Sequence, residues 1–133
     1  MKPSTKYHCV FSLSYHFVFV TKYRREVFGS AELDELGRIW TGLLEDWEGE
    51  LVEFNGEADH VHLLVKLPPM AAPSVVANNL KTVSSRLLRK RCPAVKAFYR
   101  EPVLWSRSYF VTSCGGAPLE VIKQYIQGQA RPD

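Results

Sequence analysis

The pattern of apolar and polar positions divides the chain into strand-like and helix-like segments. Residues 10–20 are rich in aromatic and β-branched types and predict a strand. Two further strands are predicted over 51–55 and 59–67, joined as a tight hairpin around Asn55-Gly56 or Glu57-Ala58. A fourth strand is expected within 103–113, centred on 109–113. The chain therefore contains four predicted strands.

Two segments carry apolar residues at the 3-4 spacing of an amphipathic helix. The first runs from about 31 to 48 behind Ser30 as a capping residue, with an apolar stripe of Leu33, Leu36, Trp40, Leu43, Leu44 and Trp47. The second follows the break at Pro68-Pro69, covers about 74–91 and ends at Cys92-Pro93, with a stripe of Val76, Leu80, Val83 and Leu87. A last helix is expected to begin at Pro118.

The order β-α-β-β-α-β-α predicts an α+β fold of the ferredoxin-like (RRM-like) type. In this fold two crossover helices cover one face of a four-stranded antiparallel sheet, and the last helix is an addition to that core. A length of 133 residues is typical of one domain, so residues 1–133 are expected to form a single unit.

Composition excludes several classes of protein. Hydrophobic residues make up 46% of the chain, which favours a globular protein over a disordered one. The three cysteines, Cys9, Cys92 and Cys114, show no metal-binding spacing and indicate reduced thiols in the cytoplasm. The longest apolar stretch, residues 10–20, is too short and too polar to cross a membrane, so no membrane partner is expected.

The distribution of charge is more informative than the net charge of +3. Basic residues cluster at 22–25 and 81–91, which favours a polyanion bound on one side. The second predicted helix turns one polar face outward, carrying Asn78, Lys81, Thr82, Ser85, Arg86 and Arg89. This mix suits phosphate oxygens, although an ordinary solvated helix face has the same composition. Trp105 and Tyr109 are either core residues or stacking surfaces for unpaired bases.

His60-Val61-His62 places two imidazoles on one face of a predicted strand, because side chains alternate with period 2. Val61 belongs to the face that packs on the helices, so both histidines are expected on the open face of the sheet. Two adjacent imidazoles form half of a metal site, and surface histidines are the simpler alternative. Tyr125 and Gln129 share one face of the last helix and lie at the edge of its apolar stripe.

In combination these segments resemble the single-tyrosine HUH transposases of the 200/605 insertion-sequence family, where HUH means His-hydrophobic-His. The resemblance covers nearly the full length. It rests on residues 15–16, 20–25, 59–64, the 80–90 helix, 104–109, and Tyr125-Ile126 with Gln129. Ala58 departs from the family, which often has proline before the Asp-His-x-His run, and this affects the turn more than the chemistry.

The resemblance implies a site and a reaction. His60 and His62 would ligate Mg²⁺ or Mn²⁺ with Gln129 as the third protein ligand, and Tyr125 would be the nucleophile that forms a 5′-phosphotyrosine. The substrate would be single-stranded DNA with imperfect hairpins at transposon ends. The protein would act as a homodimer in which Tyr125 of one subunit completes the histidine site of the other, without ATP. The residues expected to contact DNA are Lys22, Arg24, Arg25, Lys81, Ser85, Arg86, Arg89 and Lys90.

Three alternatives remain open at this point. The chain could be a domesticated relative that binds hairpin DNA or RNA without transposition, or a related enzyme acting on repeated extragenic palindromes. It could also be a metal-dependent hydrolase with His8 or His16 as a third zinc ligand and water as the nucleophile.

Overall fold

The computed structural model describes residues 13–113 and 126–128. Its main elements are β1 (Leu13–Val20), α1 (Ser30–Asp46), β2 (Glu50–Gly56), β3 (His60–Leu67), α2 (Pro73–Arg91), α3 (Pro93–Lys96) and β4 (Phe110–Ser113), with a 3-10 turn over Lys22–Arg24 between β1 and α1. The predicted β-α-β-β-α-β order is confirmed. The predicted strand start at residue 10 and the helix expected from Pro118 fall outside the described residues, apart from helical residues 126–128.

The four strands form one antiparallel sheet in the order β2-β3-β1-β4. This is the strand order of the ferredoxin-like fold, with the first and third strands of the chain at the centre. In the register of the central pair, Val18 lies opposite His62 and Val20 opposite His60. The hairpin connects Gly56 to His60 through residues 57–59, as the Asn-Gly and Glu-Ala signals predicted.

The core fills the space between the sheet and the helices. Phe17 and Phe19 of β1 and Val61 and Leu63 of β3 are fully buried there with Trp40 of α1. The Val61 and Leu63 side chains thus occupy the helix-facing side, as the alternation along β3 predicted.

Trp105 is part of this core rather than an exposed stacking surface. Its ring centre lies 5.4–5.8 Å from those of Phe19, Phe28 and Trp40, and the residue is 7% exposed. Its indole Nε1 donates a hydrogen bond of 3.0 Å to the Ser84 hydroxyl. This bond explains why Ser84, a polar residue, is fully buried on α2.

Two details of the helices differ from the prediction. Gly29 rather than Ser30 precedes the first helical residue of α1, and its amide donates to the Glu32 carboxylate at 2.8 Å. Ser30 is therefore the first residue of the helix, and the prediction that it caps the helix was wrong. The Glu32 side chain, three positions into the helix, supplies the terminal hydrogen bond instead.

The buried stripe of α2 is shifted from the predicted one. Val76 and Leu80 are fully buried as predicted, but Ser84 and Leu88 are buried where Val83 and Leu87 were expected, and these two are only partly covered. On this buried side of α2 the Ser84 hydroxyl accepts the hydrogen bond from the Trp105 indole. The short helix α3 was not predicted. No helix within 13–113 or 126–128 is long and apolar enough to cross a membrane.

The glycine after α1 is required by a close approach to β3. A Cβ at Gly49 would collide with the backbone carbonyl oxygen of Lys66, whereas one at Gly42 would meet nothing within 4 Å. We expect Gly49→Ala to lower the free energy of unfolding by about 1–3 kcal/mol, because backbone cannot yield as a flexible side chain can. Gly42→Ala, at an exposed helix position, should raise it by up to about 1 kcal/mol. Urea unfolding of the two variants measures both, and equal effects would contradict this explanation.

Candidate functional site on the open face of the sheet

Three histidines lie on the face of the sheet opposite the helices. His60 and His62 alternate with the buried Val61 and Leu63 along β3, and His16 lies on the neighbouring strand β1. The ring centres of His60 and His62 are 5.1 Å apart, and those of His62 and His16 are 5.7 Å apart. The prediction that His60 and His62 lie on the open face of the sheet is therefore confirmed.

The spacing of the first pair fits a shared cation. A metal bound to an imidazole nitrogen at about 2.1 Å lies roughly 3 Å from the centre of that ring. Two rings with centres 5.1 Å apart can therefore both reach one ion placed between them. His60 uses its Nδ1 in a 2.7 Å hydrogen bond with Asp59, so its Nε2 is the nitrogen that remains for a cation.

His62 is held in the neutral form that metal binding requires. Burial, followed by the nearby His60 and His16 rings, lowers the pKa of His62 from 6.5 to about 4. A protonated imidazole has no lone pair for a cation, so this ring is ready to ligate at neutral pH.

The same shift predicts an acid-sensitive fold. Between pH 6.5 and about 4 the unfolded chain protonates His62 and the folded chain does not, so stability falls as pH falls through this range. In the metal-free protein the free energy of unfolding should fall by on the order of 1–2 kcal/mol over this window because of His62. We expect His62→Asn to abolish this part of the pH dependence. Urea unfolding with EDTA at several pH values tests this, and parallel pH profiles would refute it.

Asp59 links the histidine pair to the turn after β1. Its Oδ1 contacts His60 Nδ1 at 2.7 Å and its Oδ2 accepts from Arg24 Nε at 2.7 Å. Burial raises the pKa of the Asp59 carboxyl, but the hydrogen bonds from His60 and Arg24 and the Arg24 charge outweigh it and bring the pKa below the ordinary value. The carboxylate is therefore ionised at neutral pH.

Backbone hydrogen bonds fix the loop that carries Asp59. The Thr21 amide donates to the Asp59 carbonyl at 3.0 Å, and the Phe28 amide donates to the Ala58 carbonyl at 2.9 Å. The Glu57 amide closes the hairpin on the His60 carbonyl at 2.8 Å. The contact at Ala58 uses only its carbonyl, so the departure from proline at this position leaves the loop anchored.

His16 does not complete a protein-only metal site. Within 13–113 and 126–128, no three or more His, Cys, Asp or Glu side chains are grouped so as to hold a metal ion. This argues against a zinc hydrolase in which His16 is the third ligand. His8, the other candidate of that hypothesis, lies outside the described residues. The described His, Cys, Asp and Glu side chains thus leave room at His60 and His62 for other ligands, such as water or substrate oxygens.

Ile126 packs on the face of the sheet that carries the histidines. Ile126, in the helical residues 126–128, is 6% exposed and packs with Val18 and Val20, the β1 residues opposite His62 and His60. Phe110 of β4 adds to this small apolar cluster. Tyr125 and Gln129, predicted as nucleophile and metal ligand, flank the helical residues and lie outside the described part of the chain, so their roles stay predictions.

Five of the predicted DNA contacts have partners within the protein, and two of them, Arg89 and Ser85, are partners of each other: Arg89 Nε donates to the Ser85 carbonyl at 3.1 Å and hydroxyl at 3.4 Å. Arg24 is paired with Asp59, and Lys81 donates to the carbonyls of Ser106 and Arg107 at 2.7 and 3.0 Å. Arg25 donates to the Phe98 carbonyl. These cations hold the loops around the basic surface, whereas Arg86 and Lys90 on α2 are exposed.

A shallow groove of about 420 Å³ runs between α2 and the segment 102–105. It is lined by five of the polar α2 residues, Lys81, Thr82, Ser85, Arg86 and Arg89. Hollows of about 280 and 150 Å³ adjoin it at Arg89 and Val103 and bring in Lys96 and Arg100, which the sequence analysis missed because they stand outside the two basic clusters. A larger hollow, about 800 Å³ between α1 and β2, is lined by none of the three histidines and has Asp34 and Glu45 in its lining.

Comparison with known proteins gives a consistent picture. The family model described as "Transposase IS200 like" matches residues 9–129. The transposase for insertion sequence element IS200 of Salmonella typhimurium is 32% identical over 126 residues, 95% of this chain and 82% of that protein. The ISDra2 transposase TnpA of Deinococcus radiodurans is 28% identical over 120 residues, 90% of this chain and 86% of that protein.

Solved structures agree with the sequence relatives. A crystal structure of a candidate transposase from Deinococcus radiodurans R1 superposes with a TM-score of 0.84 at 31% identity, covering 97% of this chain and 98% of that one. A REP-associated tyrosine transposase bound to a REP hairpin superposes with a TM-score of 0.57 at 11% identity, covering 86% of this chain and 62% of that one. The second likeness concerns the fold alone.

Proposed function

The chain belongs to the IS200-like transposase family, and from this premise we propose that it cleaves and rejoins single-stranded DNA at insertion-sequence ends through Tyr125. The observation that carries the proposal is the position of Ile126. This residue, next to Tyr125 in the chain, packs on Val18 and Val20. These two β1 residues are the register partners of His62 and His60 on β3. Helical residue Ile126, which directly follows the proposed nucleophile in the chain, thus lies on the face of the sheet that carries the proposed metal ligands.

In the proposed site the sheet would supply the two histidine ligands, and the C-terminal part of the chain would supply Gln129 and Tyr125. His60 and His62 would hold Mg²⁺ or Mn²⁺ with Gln129, and phosphate oxygens or water would complete the oxygen-rich shell that these ions prefer. When bound, the ion would polarise the scissile phosphate and neutralise charge that develops on it.

The chemical step exchanges one phosphodiester for another. The Tyr125 hydroxyl oxygen attacks phosphorus, the bond to the 3′-oxygen breaks, and the leaving 3′-oxygen takes up a proton. The product is a 5′-phosphotyrosine and a free 3′-hydroxyl. Attack of a 3′-hydroxyl on the phosphotyrosine reverses the exchange and joins strands, so the reaction balances without ATP.

The basic groove along α2 is the proposed surface for the DNA. It combines Lys81, Arg86 and Arg89 with the hydroxyls of Thr82 and Ser85, a set suited to phosphate oxygens. The partner we propose is single-stranded DNA with imperfect hairpins, and a hairpin is what the solved REP-associated transposase holds. We also propose a cytoplasmic homodimer in which Tyr125 of one subunit serves the histidines of the other.

A covalent adduct is the direct test of this function. The full chain is incubated with end-derived single-stranded oligonucleotides labelled at the 3′ end and Mn²⁺, then run on a denaturing gel. With the 3′-labelled DNA, a slow-migrating protein–DNA adduct supports the proposal. With 5′-labelled DNA as a control, the expected product is a shortened labelled fragment. Cleavage without adduct would indicate a hydrolase, and hairpin binding with neither product would indicate a domesticated binding protein. Either result would refute the transposase mechanism.

A further inference from the structure

We propose that Asp59 and Arg24 act as a positioning pair that fixes the ring orientation and tautomer of His60. In this arrangement the Nε2 atom of His60 is the one presented to the metal. The role of His60 as a ligand rests on the function proposed above. The positioning of its ring rests on contacts within the described residues.

The Asp59 carboxylate has each oxygen assigned to a different partner. Oδ1 lies 2.7 Å from His60 Nδ1, and Oδ2 lies 2.7 Å from Arg24 Nε. The side chains of Asp59 and His60 are 17% and 15% exposed, and that of Arg24 is 30% exposed. Water therefore has limited access to compete for these bonds, and the three groups form one connected unit.

The pairing decides which nitrogen of His60 carries the proton. An ionised carboxylate can only accept hydrogen bonds, so the His60 Nδ1 that faces it must be protonated. A neutral imidazole has a single ring proton, which leaves the lone pair on Nε2. A carboxylate behind a ligating histidine also makes the ring a stronger base toward a cation.

The turn that carries Arg24 adopts an unfavourable backbone conformation. Tyr23 and Arg24 both lie in the left-handed region, with φ of 59° and 55°. Non-glycine residues in this region raise the energy of the chain and persist when surrounding contacts enforce them. Here the Arg24 amide donates to the Thr21 carbonyl at 2.8 Å, and the Tyr99 hydroxyl donates to the Lys22 carbonyl at 2.7 Å.

This strained turn separates two neighbouring side chains. Arg24 extends to Asp59, while the Tyr23 ring is 40% exposed, with the Lys22 and Arg25 cations each within about 5.5 Å of its centre. Strain held at the residue that reaches the partner of His60 is the pattern expected of a functional site. Arg24, predicted from sequence as a DNA contact, is thereby assigned to the histidine site.

Metal affinity of the full-length, metal-free protein tests the pair. Mn²⁺ is titrated into wild type, Asp59→Ala and Glu57→Gln, and the dissociation constant is measured by calorimetry. Asp59→Ala should weaken Mn²⁺ binding by about 10–100-fold, as loss of such supporting carboxylates does. Glu57→Gln removes an exposed acid from the same loop and should stay within about twofold, which controls for charge alone.

The tautomer of His60 gives a readout that a general loss of stability would not produce. Ring nitrogen NMR of the metal-free wild type should show His60 protonated at Nδ1, and Asp59→Ala should shift population toward Nε2–H. Arg24→Ala keeps the carboxylate and should change both affinity and tautomer less, with partial restoration in Arg24→Lys. In the Asp59→Ala, Arg24→Ala double variant the effects should not add, because both act through one carboxylate.

The outcomes separate this inference from the proposed function. A wild type that binds no Mn²⁺ while His60 is protonated at Nδ1 would refute the metal site and leave the ring positioning intact. A wild type that binds Mn²⁺ with affinity equal to that of Asp59→Ala would overturn the positioning pair alone. If Asp59→Ala does not fold, Arg24→Ala decides the question, and unchanged affinity and tautomer there would overturn the role of Arg24.

Discussion

Replacing Tyr125 with phenylalanine is expected to abolish the covalent protein–DNA adduct and to reduce DNA cleavage by at least about 1,000-fold. The substitution keeps the ring and removes only the oxygen that would attack phosphorus, so no other group can form the same ester. Binding of hairpin DNA should be nearly unchanged, because the surface we propose for the DNA is the basic groove along α2 and not that hydroxyl. The measurement combines a denaturing gel for the adduct with a native gel for binding.

Tyr23→Phe is the matched control for this experiment. Tyr23 is an exposed tyrosine whose ring lies beside the Lys22 and Arg25 cations, and the same loss of a hydroxyl there leaves those contacts possible. It should retain wild-type adduct formation. Adduct in the Tyr125→Phe protein, or its equal loss in both variants, would remove Tyr125 from the role of nucleophile.

The architecture could be predicted because its determinants are local and periodic. Alternation along residues 60–67 placed Val61 and Leu63 in the core and His60 and His62 on the other face, as the structure has them. The 3-4 spacing around Leu36 and Trp40 likewise placed α1 on the sheet. One buried face per element was enough to order the layers.

Contacts that join distant segments could not be predicted in this way. Arg24 and Asp59 are 35 positions apart, and nothing in either segment indicates that a left-handed turn brings them together. The sequence left Trp105 as either core or surface, and its partner in the fold is Ser84, a polar residue on the side of α2 that the apolar pattern did not predict to be buried. The tertiary fold determines which polar residues pair in this way. The sequence around either residue contains no signal that identifies its partner.

For the basic residues, too, the sequence could predict the surface but not the role of each residue. Clusters at 22–25 and 81–91 predicted a polyanion surface, and the α2 residues do line a groove. Charge alone could not distinguish the exposed Arg86 from Lys81, whose ammonium group holds the Ser106 and Arg107 carbonyls. A cation with such a task contributes to the shape of the surface first, and its contribution to DNA affinity stays a prediction.

Loss of the second histidine should produce a defect of comparable size with a different signature. We expect His62→Ala to reduce cleavage by about 100-fold or more in 1 mM Mn²⁺, because one of the two imidazoles that can share a cation is removed. Raising the Mn²⁺ concentration should restore part of the activity, since a lost ligand weakens metal binding without removing the nucleophile. The Tyr125→Phe defect should not respond to the metal at any concentration.

His16→Ala is the matched control for the His62→Ala variant. His16 lies on the same face, with its ring 5.7 Å from that of His62, yet it forms no three-residue metal cluster with the other described side chains. Its loss should reduce cleavage by less than about threefold and leave the Mn²⁺ dependence unchanged. If His16→Ala instead matched His62→Ala in both respects, the metal site would be a histidine triad, and the zinc hydrolase with water as the nucleophile would become the better explanation. The metal response of two neighbouring histidines therefore decides between two reaction classes that the shape of the fold leaves equally accessible.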